Sequence, residues 1–269
     1  MKLGIFSKTF IRPTLEETIA AVAAHGLESI QFNWETAGLD DMPTEVPAAL
    51  CGRIRHSLQK HEIELAAISG TFNIIHPTYR QEGMHRLSAL AKACPSLGTQ
   101  FITLCTGTRD DDYLWRYHAD NSSPAAWSDM LNAMREAVEI AETHNITLVF
   151  EPEVNNVVDS AQKARQLLDE ITSDHLKVVI DGANLFHQGE LPRMHEILDE
   201  AFQLLGDDIL LAHGKDLERD GDAGTGVLDY AHYLHCLDQI GFKGTIALHS
   251  LSEEQTPTAI THMQKNWPH

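Results

Sequence analysis

An α/β fold is predicted for this sequence, and within that class a single (β/α)8 TIM barrel domain that spans residues 1–269. Three observations carry the prediction: short apolar segments alternate with amphipathic ones, the alternation repeats eight times, and the apolar segments are hydrophobic on both faces. Strands buried on both faces are typical of parallel sheets covered by helices. Eight βα units are the number at which such a sheet closes into a barrel.

The predicted strands are short and are separated by segments with helical periodicity. The strands cover residues 2–6, 28–32, 64–68, 100–104, 147–151, 176–181, 209–213 and 245–249. The helices lie near residues 14–25, 46–61, 82–94, 124–145, 158–172, 191–205, 228–240 and 252–265. Thr14 with Glu17, and Ser252 before a Glu-rich turn, are typical of helix starts.

A doubly wound open sheet is the alternative arrangement for alternating strands and helices. Such a fold for dinucleotides places a glycine-rich phosphate loop directly after its first strand, and residues 7–14 contain no glycine. No linker or low-complexity segment divides the chain, which favours one domain. Residues 106–123 are too long for a plain βα turn. Long βα loops in barrels usually cover the active site.

Composition and charge argue against two classes of partner. The formal net charge is −19, the opposite of the balance that proteins use to neutralise nucleic-acid phosphates. No segment is long and apolar enough to span a membrane, and the first residues do not form a signal peptide. The four cysteines include no CxxC pair. We therefore expect a cytoplasmic protein with reduced thiols and a small-molecule substrate, and neither nucleic acid nor a membrane as partner.

The last four predicted strands end in residue types that bind metals: Glu151, Asp181, His213 and His249. Barrel chemistry lies at the C-terminal ends of the strands, and neighbouring strands are about 5 Å apart, so these side chains can meet at one cation. Two carboxylates balance a divalent charge, and two imidazoles add nitrogen ligands. The set predicts one divalent Mn, Zn, Co or Fe ion. Mg fits less well because it prefers oxygen ligands.

Further polar residues follow the same strand ends. Glu153 comes two residues after Glu151 and is a candidate base. Lys215 is placed to face substrate oxyanions, with Asp216 as a residue that orients it. Lys8, Gln31 and Asn33, near the first two strand ends, have less support. Histidines in predicted helices, such as His232 and His235, are expected to be structural.

Two loops have a composition that suits a carbohydrate-like ligand. Residues 69–77 and 106–118 combine aromatic rings with amides and hydroxyls. Arg109 and Arg116 are candidates for gripping a phosphate or carboxylate of the substrate. The other candidates for substrate binding are Asn73, His76, Trp115 and Asn184.

Four segments resemble the xylose isomerase-like barrel superfamily, which contains sugar-phosphate isomerases and epimerases, ketose 3-epimerases and endonuclease IV. They are VFEPE (149–153), VVIDGANLF (178–186), LAHGKD (211–216) and residues 224–249. In that family a metal is held by Glu, Asp, His and Glu at strands five to eight, and Glu151, Asp181 and His213 match. The resemblance covers nearly the whole chain. It implies a metal-dependent isomerase or epimerase of a sugar, sugar acid or sugar phosphate, in a superfamily where homo-oligomers are common.

Two positions depart from the family pattern. His249 replaces the eighth-strand Glu, which in ketose epimerases forms the acid/base pair with the fifth-strand Glu. Asn184 stands where several relatives carry a His. We therefore expect Glu151 to abstract a proton and form an enediolate, with His249, Lys215 or Glu153 returning the proton.

The departures leave alternatives open. A metal-dependent lyase or decarboxylase of a keto-sugar acid would use the same enediolate chemistry, and it needs no second carboxylate opposite the first. Net charge and Asn184 argue against an endonuclease IV-like nuclease. The missing eighth-strand Glu is the only support for a non-catalytic sugar-binding barrel.

Overall fold

A computed structural model describes residues 1–215 and 226–268. Its eight strands form a closed barrel in sequence order, and each strand pairs in parallel with its two neighbours. The first strand closes the barrel against the last, with Ile5 opposite Leu248. The predicted α/β class and (β/α)8 TIM barrel are confirmed.

The strands and helices lie close to their predicted positions. The strands are β1 (Lys2–Phe6), β2 (Ser29–Phe32), β3 (Glu64–Ser69), β4 (Phe101–Cys105), β5 (Thr147–Glu151), β6 (Leu176–Asp181), β7 (Ile209–Gly214) and β8 (Thr245–Leu248). The helices are α1 (Leu15–Ala24), α2 (Ala48–Lys60), α3 (Arg80–Leu97), α4 (Pro124–His144), α5 (Ala161–Ile171), α6 (Met194–Leu205), α7 (Tyr230–Gln239) and α8 (Thr256–Lys265). In the described part of the chain, no helix has the length and apolar character needed to cross a membrane.

The two predicted helix starts have different outcomes. Thr14 caps α1 in a reciprocal capping box with Glu17, as predicted. The expectation that Ser252 begins the last helix is wrong, because α8 begins four residues later at Thr256. The Gln255 side chain accepts a hydrogen bond from Ser252 N at 2.6 Å and forms a local turn instead. Pro257 then favours a helix start directly before it, since proline is accommodated in the first turn.

A small apolar cluster of buried residues is separate from the larger hydrophobic core, and its members Val149, Val179 and Leu211 lie on the inward faces of their strands. It comprises Ala66, Ala67, Val149, Val179 and Leu211. Side chains alternate between the two faces of a strand, so the residues two positions after the last three point into the barrel as well. Those residues are the predicted strand-end ligands of β5, β6 and β7, and they rest on this apolar cluster.

Candidate active site

A cavity of about 1010 Å³ opens at the carboxyl ends of the strands, which we call the mouth. Residues at the ends of β1, β2, β3, β4, β5, β7 and β8 all contribute to its wall. Ten of the predicted site residues line it: Trp115, Glu151, Glu153, Asn184, His213, Lys215 and His249, together with the less supported Lys8, Gln31 and Asn33. Asp181 lies beneath them and is completely buried. The structure therefore brings most of the predicted site together.

Three of the four predicted metal ligands form a compact group. Asp181, His213 and His249 each offer one ligand atom, and these atoms lie within 4.8 Å of one another. Glu151 adjoins the group, with its Oε1 3.5 Å from His213 Nδ1. The four strand ends thus converge in the way that their positions in the sequence predict.

The tautomer of His213 is defined by its neighbour Gln31. The amide nitrogen of Gln31 donates to Ser69 Oγ at 3.1 Å and to Thr103 Oγ1 at 3.2 Å, so its oxygen faces His213. His213 Nε2 therefore carries a proton and donates it to Gln31 Oε1 at 2.8 Å. Gln31 is one of the less supported site candidates from the sequence, and its position near the end of β2 is the feature that indicates a place in the site.

The other ring nitrogen of His213, Nδ1, lies 3.5 Å from the carboxylate of Glu151. Within the described residues, His213 Nδ1 is buried and has no hydrogen-bond partner. Buried polar atoms without partners are uncommon in folded proteins. A ligand imidazole with its second nitrogen bonded to an oxygen acceptor has this arrangement. The site therefore fits a cation at the position that Nδ1 faces.

His249 connects the eighth strand to the carboxylate of the sixth. Its Nε2 lies 3.0 Å from Asp181 Oδ2 and its Nδ1 lies 2.9 Å from Ser250 Oγ. The Phe6 ring stacks on the imidazole with the ring centres 4.8 Å apart. Burial lowers the pKa of His249, and the hydrogen bond with Asp181 only partly opposes this shift. His249 is therefore neutral at neutral pH and can act as a nitrogen ligand.

The two strand-end carboxylates are held in their ionised forms. Burial alone would raise the pKa of Asp181, but the hydrogen bond with His249 and the charge of Lys215 lower it to about 2. For Glu151 burial is likewise outweighed, and His213 lowers its pKa. Asn184 joins the pair, since its Nδ2 donates to Glu151 Oε1 at 2.7 Å and to Asp181 Oδ2 at 3.3 Å.

Glu153 has the opposite electrostatic environment. It is buried, and burial together with the nearby charge of Glu151 raises its pKa to about 7. Its two oxygens accept hydrogen bonds from Asn155 N and Nδ2 and from Asn156 Nδ2. A carboxyl group that titrates near neutral pH can both accept and donate a proton during turnover.

Lys215 supplies the ammonium group of this cluster. Its Nζ lies 4.0 Å from Asp181 Oδ2, and its backbone oxygen accepts a hydrogen bond from Tyr230 Oη at 2.7 Å. Asp216, predicted to orient Lys215, lies outside the described residues. One ammonium cannot balance the charges of Glu151 and Asp181, so the cluster has an excess of negative charge that favours a cation.

The two predicted anion-binding arginines do not line the cavity. Arg109 Nη2 binds Asp129 on α4 at 2.6 Å. Arg116 Nε binds Asp110 within its own loop at 2.6 Å. The long β4–α4 loop folds on itself and uses both guanidinium groups in its own structure, which the sequence pattern does not reveal.

Asn73 and His76 also support this loop and do not face the cavity. The amide nitrogen of Asn73 donates to the backbone oxygens of Thr108 and Asp110 at 2.9 and 3.2 Å. His76 Nδ1 accepts from the backbone nitrogens of residues 78 and 79, each at 3.0 Å. Among the predicted substrate-binding residues, Trp115 and Asn184 are the two that line the cavity.

Comparison with known proteins gives a consistent result. A family model described as xylose isomerase-like TIM barrel matches residues 19–266. A sequence search of curated proteins finds no match. Similar solved structures include the 3-keto-D-glucoside 4-epimerase from E. coli, with a TM-score of 0.76 and 13% identity over 98% of this chain and 99% of that chain.

Two other solved structures share the fold. The probable 3-DHS dehydratase from Bacillus anthracis has a TM-score of 0.74 and 16% identity, over 98% of this chain and 99% of that chain. The IolI protein with a bound zinc atom has a TM-score of 0.71 and 18% identity, over 99% of this chain and 96% of that chain. At sequence identities of 13%, 16% and 18% the three solved structures support the fold alone. The family model is the finding that identifies the family. The chain therefore belongs to the xylose isomerase-like TIM barrel family.

Proposed function

We propose that this protein is a divalent-metal-dependent isomerase or epimerase of a sugar, sugar acid or sugar phosphate. The single observation that carries the proposal is the buried Nδ1 of His213, which has no hydrogen-bond partner among the described residues and lies beside the carboxylates of Glu151 and Asp181. Proteins of the same fold include enzymes that act on sugars, such as the 3-keto-D-glucoside 4-epimerase, which agrees with this substrate class.

The residues that would hold the ion are Asp181, His213, His249 and Glu151. Their nitrogen and oxygen donors suit Mn, Zn, Co or Fe, and the zinc atom in the IolI structure is consistent with such an ion. When bound, the ion would supply Lewis-acid stabilisation of negative charge on the substrate oxygens.

Glu151 is the proposed base that removes the proton next to the substrate carbonyl. Its lowered pKa keeps it ionised, and the hydrogen bond from Asn184 fixes the direction of its carboxylate. The product of this step is an enediolate. A proton then returns from Glu153, Lys215 or His249, and Glu153 is favoured because its pKa of about 7 suits transfer in both directions.

The cavity wall supports a polyhydroxylated substrate. Asn33 and Ser69 present an amide and a hydroxyl group in its wall, and the partly exposed Trp115 offers a ring surface there. Such a combination orients sugars through hydrogen bonds and ring contacts. Self-association of the chain and a cytoplasmic location stay predictions.

A lyase, decarboxylase or dehydratase of a keto-sugar acid is the second candidate. The observation that favours it is His249 at the position of the family's second catalytic carboxylate. An imidazole there leaves Glu151 without an opposing carboxylate of equal basicity, which suits elimination from the enediolate. The fold shared with a probable dehydratase is compatible with this candidate. Product analysis with keto-acid substrates separates the two reactions.

The decisive experiment measures exchange of the substrate α-proton with solvent deuterium. Metal-loaded protein is assayed with a panel of ketoses, sugar phosphates and keto-sugar acids. Glu151→Gln should lower the exchange rate by about 10²–10⁴-fold, the usual contribution of a general base. Glu64→Gln, the same change at the opposite end of the barrel, is the matched control. Near-wild-type exchange by the Glu151 variant would contradict the assigned base.

A further inference from the structure

A second group of metal-ligand side chains lies on the outside of the barrel, between α6 and α7. Asp199 offers one ligand atom, as do His232 and Cys236, and the three atoms lie within 4.8 Å of one another. His232 Nε2 is 2.8 Å from Asp199 Oδ1, and Cys236 Sγ is 3.6 Å from the same oxygen. None of the three belongs to the described lining of the mouth cavity.

The two helices bring these residues together by regular spacing. On α6, His195 and Asp199 are four residues apart, and on α7, His232 and Cys236 are also four residues apart. Side chains at this spacing lie on the same face of a helix. Because α6 packs against α7, the two pairs face each other across one helix–helix contact.

His195 lies directly beside the three-residue group. Its ring stacks on that of His232 with the centres 4.0 Å apart and an interplanar angle of 11°. Its Nε2 is 2.9 Å from Asp229 Oδ2. Asp229 also caps α7 by accepting a hydrogen bond from the backbone nitrogen of His232 at 3.1 Å. The carboxylate of Asp229 thereby orients the imidazole of His195 and holds the backbone of His232 at the start of α7.

The thiol of Cys236 does not fit a redox or nucleophilic role. Burial and the adjacent carboxylate of Asp199 raise its pKa to about 12. Reactive cysteines have a lowered pKa and a positively charged environment. A divalent ion placed between this thiol, the carboxylate and the imidazole would displace the thiol proton to solvent and take the resulting thiolate as a ligand.

We infer that Asp199, His232 and Cys236 form a second metal site for a borderline-soft divalent ion of the Zn²⁺ type. Oxygen, nitrogen and sulfur donors together are typical of Zn²⁺ and Co²⁺ and unsuited to Mg²⁺ or Ca²⁺. Three protein ligands leave a fourth position for water. An ion bound there would link α6 to α7 and stabilise the outer helical layer, independently of the chemistry at the mouth.

The test uses Co²⁺ as a spectroscopic substitute for Zn²⁺ on the full-length protein. Cobalt bound to a thiolate gives a charge-transfer absorption in the near ultraviolet, and only the second site places a cysteine among its proposed ligands. Wild-type protein should show this band, with saturation within two equivalents of cobalt because the mouth also takes up the ion. Cys236→Ser should abolish it, while Cys105→Ser, which alters the cysteine at the end of β4, should retain it.

A second variant protects the test against misfolding. Asp199 has a side chain that is 63% exposed, so Asp199→Asn leaves the core intact, and it should weaken cobalt binding by more than about tenfold. Asp181→Asn, which alters the mouth, should keep the band. Absence of the band in wild type, its persistence in Cys236→Ser, or its loss in Cys105→Ser or Asp181→Asn overturns the assignment.

Discussion

The two ends of the barrel surround their carboxylates with different partners. At the amino end of the strands, Asp208 accepts hydrogen bonds from Lys177 Nζ at 2.5 Å and Arg165 Nη1 at 2.7 Å. At the mouth, Asp181 has no exposed surface, contacts a neutral imidazole and has its nearest ammonium 4.0 Å away on Lys215. The amino end therefore pairs its charge with full cations, whereas the mouth leaves negative charge in excess.

This difference would separate carboxylates that stabilise the fold from those that we propose to serve the reaction. A carboxylate between two cations is satisfied in the folded protein and gains little from any ligand. A buried pair of carboxylates beside a ring nitrogen without a hydrogen-bond partner costs free energy in the folded protein until a cation arrives. Residues at the C-terminal face of a barrel serve chemistry and those at the opposite face serve stability, and the two environments of this chain follow that division.

The largest effect is expected when the mouth loses one ligand. Asp181→Asn should reduce metal affinity at the mouth by more than about 100-fold, because an amide donates weakly and carries no charge. Metal content after purification without chelator, measured by elemental mass spectrometry, should fall by one equivalent per chain. Asp208→Asn is the matched change at the amino end and should keep full metal content. Equal metal content in wild type, Asp181→Asn and Asp208→Asn would contradict the proposal that the mouth carboxylate binds a metal and the amino-end carboxylate does not.

A second effect concerns Glu153 and the pH dependence of stability. Its pKa is raised from the ordinary 4.5 to about 7, so the folded state holds a proton that the unfolded state has released. The free energy of unfolding should therefore fall as pH rises from about 4.5 to about 7, by on the order of 2 kcal/mol. Denaturant unfolding of metal-free protein across this range measures the loss.

The control for that experiment is the variant without an ionisable group. Glu153→Gln should lack this part of the pH dependence, whatever its stability at one pH, since an amide does not titrate. If wild type and variant show parallel profiles, Glu153 titrates normally and its assignment as the proton-returning group is wrong.

The order and ends of the strands could be predicted from the sequence because they depend on local patterns. Alternation of side chains along β5, β6 and β7 places Glu151, Asp181 and His213 inside the barrel once the strands are assigned. The convergence of these residues at the mouth follows from barrel closure. Local hydrophobic periodicity is therefore sufficient to predict the fold and the strand-end residues at the centre of the candidate site.

Contacts between residues that are far apart in the chain could not be predicted from the sequence. The tautomer of His213 depends on Gln31, which is 182 residues away in the chain. The guanidinium groups of Arg109 and Arg116 are suited to binding substrate anions, but the folded β4–α4 loop pairs them with Asp129 and Asp110 instead. His232 lies in a helix and is expected from the sequence to be structural, and its contact with Asp199 on α6 emerges only when the helices pack.

A smaller effect is expected at the amino end. Burial opposes ionisation of Asp208, but the hydrogen bonds from Lys177 and Arg165 outweigh it and lower its pKa. Its contribution is therefore present above the ordinary pKa of 3.8 and is lost as pH falls through the lowered value. Asp208→Asn should lower the free energy of unfolding by about 1 kcal/mol at neutral pH, after allowance for the partial exposure of the Asp208 side chain.

Thermal unfolding checks this expectation through a decrease of about 2–4 °C in the midpoint. The difference between wild type and variant should shrink in acid, and α-proton exchange activity should stay unchanged. A loss of activity at constant stability would show that the amino end also serves the reaction.

The smallest effect is expected for the ion pair between Lys2 and Glu64, where exposure rather than position limits the energy. Both side chains lie at the amino end and are nearly half exposed, at 45% and 49%. Solvent and salt screen such a pair, so Glu64→Gln should change the free energy of unfolding by less than about 0.5 kcal/mol, and less at high salt. Chemical denaturation at low and high ionic strength measures this. A cost equal to that of Asp208→Asn would mean that location at the amino end, and not burial between two cations, determines what a carboxylate contributes there.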